Sequence, residues 1–224
     1  MARWMLPGDC WTVAILLVLA QRFHTAAAGQ PVNILEALEL SESIEGVTLA
    51  AGLCTHRQGI EETDIAFRLE NRTHFSAPTK QLFPDDTFPE DFSILITLKV
   101  RKGAQFFLLS IYNEKGVQQL GVEIGRSPVF VYEDQYGNPT PENYPFFKKI
   151  NLADGKWHRI ALSVEGKNVT MYVDCEKKQT HFLDRGDYAA ISTEGVTLFG
   201  TRLLDEEVFE TVEAADIWVF SDDL

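Results

Sequence analysis

Residues 154–175 read DGKWHRIALSVEGKNVTMYVDC, and two incompatible things can be read in them. Asp154, His158 and Ser163 are the residue types of a nucleophilic triad. Ile160, Leu162 and Val164, followed after Glu165-Gly166-Lys167 by Val169, Met171 and Val173, are instead the pattern of a β-hairpin with one buried face. Geometry decides between them. A triad needs its nucleophile within hydrogen-bond reach of its base. On a strand, His158 and Ser163 stand five positions apart, so they fall on opposite faces and about 16 Å apart at roughly 3.3 Å per residue. They cannot touch, and no G-x-S-x-G elbow occurs in the sequence. The stretch is read as a hairpin, with Trp157 as a core anchor, and the protein is expected to be non-catalytic.

The same two-residue period recurs on both sides of the hairpin. Phe92, Ile94, Ile96, Leu98 and Val100 share one face of FSILITLKV, with Ser93, Thr97 and Lys99 on the other. Phe106–Tyr112 and Gln118–Ile124 form a second hairpin across the turn Asn113-Glu114-Lys115-Gly116, and Pro128–Glu133 follows before the turn-rich Gln135–Pro141. Gly195–Gly200 and Asp216–Phe220 are two further strands. A single helical stretch, NILEALEL, starts at Asn33, whose side chain can cap it, with Glu36 placed to complete a capping box. Short strands bounded by Gly, Pro, Asn and Asp, with no strand–helix alternation, predict an all-β fold: an antiparallel β-sandwich with a short N-terminal helix. The 15 glycines are scattered and form no Gly-X-Y run, so these residues contain no collagen triple helix.

The apolar run Trp11–Ala20, preceded by Arg3 and followed by Ala26-Ala27-Ala28, has the layout of a secretory signal, so residues 1–28 are set aside and the domain is taken as 29–224. The run is too short to cross a bilayer, and no membrane association is expected. Without Arg3, Arg22 and Asp9 the balance is 18 basic against 32 acidic residues, or −14, which argues against nucleic acid as a partner. Cys10 leaves with the signal. Cys54 and Cys175 remain in an oxidising compartment, where one bond between them is the simplest reading of the residues alone.

Candidate binding chemistry is sparse. The His and Cys positions show no metal-ligand spacing, and no Gly-rich phosphate loop is present, so no cofactor is expected. Calcium is the one ion for which oxygen-rich stretches exist, at Glu133-Asp134, Asp205-Glu206-Glu207 and Asp222-Asp223, but no EF-hand pattern surrounds them and they read as solvated acidic loops. Three basic pairs, Arg101-Lys102, Lys148-Lys149 and Lys177-Lys178, would make a sulfated-glycan site if the fold brought them together, and are ordinary exposed charge otherwise. Asn71-Arg72-Thr73 and Asn168-Val169-Thr170 are N-glycosylation acceptors by sequence, with Asn168 at the exposed tip of the opening hairpin.

The pattern D-G-K-W-H-R-[apolar]-A-x-S-V, turning into V-T-x-x-V-D-C, resembles the thrombospondin N-terminal-like module, a laminin-G-like jelly-roll sandwich. Further blocks narrow the resemblance. They are Ser76–Pro84 (SAPTKQLFP), Phe88–Leu95 (FPEDFSIL), Leu108–Glu114 (LLSIYNE), Gly125–Phe130 (GRSPVF), Tyr132-Glu133-Asp134 and Phe199–Glu210 (FGTRLLDEEVFE). Together they are similar to the amino-terminal domain of type V and type XI fibrillar collagen α chains, over about residues 31–210. The resemblance implies a secreted extracellular-matrix module, retained at the fibril surface, whose bulk limits lateral growth of collagen fibrils. It implies other collagen chains and fibrils as partners, and heparan sulfate or heparin as a ligand. It also implies that Cys54 and Cys175 each pair with a cysteine further downstream. The sequence departs from that pattern after about residue 210, where Thr211–Leu224 replaces the family's continuation, the expectation for a truncated or alternatively spliced product or an artefact of the gene model.

Overall fold

The computed structural model describes residues 31–54, 64–70, 75–203 and 211–221. The signal segment, Asn71, Asp205-Glu206-Glu207 and Asp222-Asp223 lie outside the described residues. The strands are β1 (Val32–Asn33), β2 (Val47–Ala51), β3 (Ile65–Glu70), β4 (Phe75–Pro78), β5 (Phe92–Val100), β6 (Phe106–Tyr112), β7 (Gln118–Ile124), β8 (Val129–Tyr132), β9 (Trp157–Glu165), β10 (Asn168–Val173), β11 (Glu176–Phe182), β12 (Val196–Phe199) and β13 (Thr211–Ser221). Among the described residues they form two antiparallel sheets. One is eight-stranded, in the order β11-β10-β9-β5-β13-β3-β2 with β1 also on β13; the other is five-stranded, in the order β4-β12-β6-β7-β8. This is the expected antiparallel β-sandwich.

The hairpins come from sequence neighbours, but both sheets are closed by long-range insertions. β13 lies between β5 and β3, and β12 between β4 and β6. The helix expected over NILEALEL is one turn, Ile34–Ala37, and the Asn33 side chain caps it by accepting from the Leu35 N–H at 3.1 Å and the Glu36 N–H at 3.4 Å.

Strand alternation sets the core. Ile160, Leu162 and Val164 of β9 face Val173, Met171 and Val169 of β10, and they also pair with Ile96, Ile94 and Phe92 of β5. All nine are buried, and they join one cluster with Leu109, Ile111, Leu120 and Val122 of the smaller sheet. Each such side chain contributes about 1.5–3 kcal/mol by leaving water.

Trp157 is not part of this core. It is half-buried and has the odd parity of Arg159 and Ala161, opposite to Ile160, Leu162 and Val164. The strand pleat that makes the hairpin's inner face therefore sends Trp157 to the outer one, beside Lys99 in the register.

Candidate functional site

His158 and Ser163 fall on opposite faces of β9, as strand geometry requires. Ser163 lies in an outer row between Thr170 and Ser93. His158 instead stands between two carboxylates: Nδ1 is 2.9 Å from Asp174 Oδ2, and Nε2 is 3.1 Å from Asp154 Oδ1. Asp174 also ties itself to β9, through Oδ1 to the Arg159 N–H at 3.0 Å and through its own N–H to the Arg159 carbonyl at 2.7 Å. Both acids act as anchors. Partial burial pushes the Asp154 carboxyl up, but the Lys156 N–H and His158 outweigh it and hold the group below its ordinary value. Burial acts on Asp174 in the same way and is outweighed by His158 and the Arg159 N–H. Asp154 and His158 of the opening stretch thus join Asp174 in an acid–histidine–acid clamp at the base of a hairpin, and Ser163 has no part in it.

Asp174 and Cys175 form the two-residue turn between β10 and β11, both with positive φ, at 53° and 66°. Cys175 is exposed and Cys54 half-buried, and both are free thiols in this structure. Arg159 stands close to each: its Nη2 donates to Cys54 Sγ at 3.3 Å, and its backbone pairs with Asp174, next to Cys175.

β11 is the last strand of the larger sheet, and the basic pairs gather there. Lys177 and Lys178 are exposed on it, Lys178 pairing with Glu176. Lys148 and Lys149 are exposed on the loop that lies against this edge. Gln179 Nε2 donates to the Lys148 carbonyl at 2.7 Å, and the Phe147 ring meets His181 edge-on at 4.9 Å. The proximity has an electrostatic trace: burial first, and then the Lys148 ammonium, push the His181 imidazole below its ordinary value. The fold therefore brings two of the three basic pairs to one edge. Arg101 and Lys102 sit in the turn between β5 and β6.

Asn168 opens β10 and is exposed. In the register it stands between Glu165 of β9 and Phe182 of β11, and Phe182 is 63% exposed.

Two acidic or charged features differ from the sequence reading. Asp134 is not in a solvated acidic loop: it is 2% exposed and accepts from the N–H groups of Tyr136, Asn138 and Gly186 at 2.8–2.9 Å. Three backbone donors converge on it, which is why it can be buried as an acceptor. Among the described residues no group of three or more His, Cys, Asp or Glu side chains could hold a metal ion. Arg185-Gly186-Asp187 is an Arg-Gly-Asp tripeptide, a cell-adhesion signature that strand-by-strand reading passes over. The structure withdraws it from that use, because the Arg185 side chain is 1% exposed and its Nε donates to the Gly166 carbonyl at 2.6 Å.

The sandwich, its non-sequential strand order and the outward-facing edge define a class, and comparison agrees. The family described as Laminin G domain matches residues 101–213, and the protein belongs to it. It is similar to a collagen alpha-1(XXVII) chain of Danio rerio, with 26% identity over 168 residues, which is 75% of the present sequence and 8% of that protein. Among solved structures it resembles HCR/D bearing a tryptophan substitution (TM-score 0.51, 14% identity, covering 78% of the present sequence and 44% of that structure). It also resembles botulinum neurotoxin type C (TM-score 0.50, 12% identity, 80% and 44%). At these identities the structural likeness speaks for the fold alone. Among the described residues no helix is long and apolar enough to cross a membrane.

Proposed function

We propose that this protein is a non-catalytic extracellular-matrix module of a collagen, acting by its bulk to limit lateral fibril growth. The observation that carries the reading is the collagen relative, which aligns over 75% of the sequence, through the laminin G sandwich. The finer likeness to the amino-terminal domains of type V and XI chains supplies the mechanism, which is steric. A folded domain of this length is on the order of 40 Å across. A collagen triple helix is a thin rod, its three chains closely wound about a common axis, so a globule of that width would hold laterally aligned triple helices apart. No bond is made or broken and no cofactor is required. The partners under this reading are other collagen chains and the fibril surface, and the compartment is oxidising, so Cys54 and Cys175 would take disulfide partners there. Intact mass with and without reductant reads that pairing.

The test is fibril width. Joined ahead of a collagen triple helix, this 224-residue chain should give thinner co-assembled fibrils than the same helix without it. Equal widths would overturn the steric reading.

A second reading, binding of a sulfated glycosaminoglycan, is favoured by one specific contact. The Gln179–Lys148 hydrogen bond holds the Lys148-Lys149 loop against β11, so four exposed ammonium groups share one edge of an otherwise acidic molecule.

A further inference from the structure

We propose that Asn168 carries an N-linked glycan whose first N-acetylglucosamine packs against the ring of Phe182. The proposal rests on the reading of the protein as exported, and several features of the larger sheet converge on it.

The acceptor is presented. Asn168-Val169-Thr170 fits the acceptor pattern, and Asn168 is exposed, directly after the Gly166-Lys167 turn, where Gly166 has a φ of 51°. Val169, by contrast, is fully buried on the inner face, which fixes the Asn168 side chain outward.

The platform is beside it. Asn168 and Phe182 are directly opposite in the β10–β11 ladder, so their side chains leave the same face with Cβ atoms about 4.5–5.5 Å apart. Phe182 is 63% exposed and has no polar atom, so its ring holds a large hydrocarbon area in water. One face of a β-linked N-acetylglucosamine is built from axial C–H bonds, and laying that face on an aromatic ring removes apolar area from both.

The alternatives around the sugar are poorer. On the other side Asn168 faces the exposed carboxylate of Glu165, which offers no apolar surface. Among the described residues β11 is the edge strand of its sheet, and the Phe182 ring stays open to solvent. The acceptor's own threonine strengthens the arrangement: Thr170 Oγ1 lies 2.9 Å from Thr180 Oγ1, joining the two strands that carry Asn and Phe.

The full-length protein, expressed in mammalian cells in an Asn71→Gln background so that one acceptor is read, tests this. After trimming to a single N-acetylglucosamine, mass spectrometry should find that sugar on Asn168, and denaturant unfolding should show about a five-fold larger folding equilibrium constant than Asn168→Gln, the size of one aromatic contact. In a Phe182→Ala background the same comparison should give a ratio near one, and Phe182→Tyr should restore it. The sugar's C–H protons should show an upfield ring-current shift in the parent that Phe182→Ala abolishes, a reading independent of stability. Secretion with Asn168 unmodified overturns the proposal and leaves the export reading standing. So does an equal glycan effect with and without the Phe182 ring. Retention inside the cell, unmodified, overturns both.

Discussion

Asp91 accepts a hydrogen bond from Arg185 across 94 positions of sequence, and the same carboxylate oxygen accepts from the Gly166 N–H at 2.9 Å. One buried guanidinium thus joins three segments: the approach to β5, the β9–β10 turn and the segment after β11. Arg185 also donates to the Glu90 and Gly166 carbonyls, and it lies 5.7 Å from the Tyr132 ring centre. Every contact is internal, which makes the Arg-Gly-Asp tripeptide a structural element.

Removing one partner leaves the other buried and uncompensated. Asp91→Ala is expected to cost about 3 kcal/mol, at the lower end for a broken buried pair because Asp91 is partly exposed. Adding Arg185→Met removes the stranded charge and should recover part of the loss. Urea unfolding of both variants reads the difference; a double variant less stable than Asp91→Ala would contradict this account.

Gly195 is required for space. A Cβ there would lie 1.8 Å from the Tyr112 carbonyl oxygen, where β12 enters beside β6. Gly195→Ala must shift backbone and is expected to cost about 3 kcal/mol. Gly155 has nothing within 4 Å of its would-be Cβ and only a φ of 85° to object, so Gly155→Ala should cost about 1 kcal/mol. The ranking of the two midpoints in denaturant is the check.

β5 was legible from its alternation, and β6 and β7, buried along most of their length, from the turn between them; all three carry the bounds read, whereas β2, β3 and β4 were not read as strands. Other features escaped for physical reasons. β11 (EKKQTHF) is an edge strand with most of its residues exposed, so it has no alternation to read. β13 was seen only from Asp216 onward because the register shifts between Ala214 and Asp216, moving the buried parity from Val212 and Ala214 to Ile217 and Val219. Trp157 was misplaced because size was weighed above parity. Of the site, the Lys148-Lys149 and Lys177-Lys178 pairs could be named but not joined, since their proximity depends on a loop folding back onto β11. The Asn168–Phe182 pairing was hidden for the same reason: without β11 as a strand, Phe182 has no register.

Acid should loosen the sheet through a small set of carboxylates. Asp154 and Asp174 are held below their ordinary values at the His158 clamp. Glu213 is also held low: burial pushes it up, but hydrogen bonds from Arg68 and Lys99 outweigh that. A carboxyl depressed in the folded state binds its proton more weakly there than in the unfolded state. Its stabilisation is therefore full above the ordinary carboxylate range and is lost as pH falls through the depressed values. Unfolding midpoints should decline slightly between about pH 7 and 5, where the unfolded chain binds a proton that the fold denies His181, and fall more steeply below about pH 4 as the carboxylates protonate. Asp174→Asn should be less stable than the parent at pH 7, with the gap closing toward acid. A gap that stays constant with pH would remove Asp174 from the linkage.

The basic edge makes a prediction that the acidic whole opposes. With a formal net charge of −13, the molecule as a body is repelled by a sulfated polysaccharide, so retention on heparin requires a local site. Lys148, Lys149, Lys177 and Lys178 are all exposed around β11, and screening confines their pull on a polyanion to about a Debye length, roughly 10 Å at 0.1 M salt. The protein should bind heparin at low salt and elute as salt rises, because released counterions drive the association. Lys177→Glu with Lys178→Glu should weaken retention, and adding Lys148→Glu with Lys149→Glu should abolish it. The fold should survive all four changes, since none of these side chains is in the core. Retention that persists in the quadruple variant would place the site elsewhere, and no retention at low salt would remove this reading while leaving the steric one intact, because the steric effect depends on the volume of the sandwich and not on its charge.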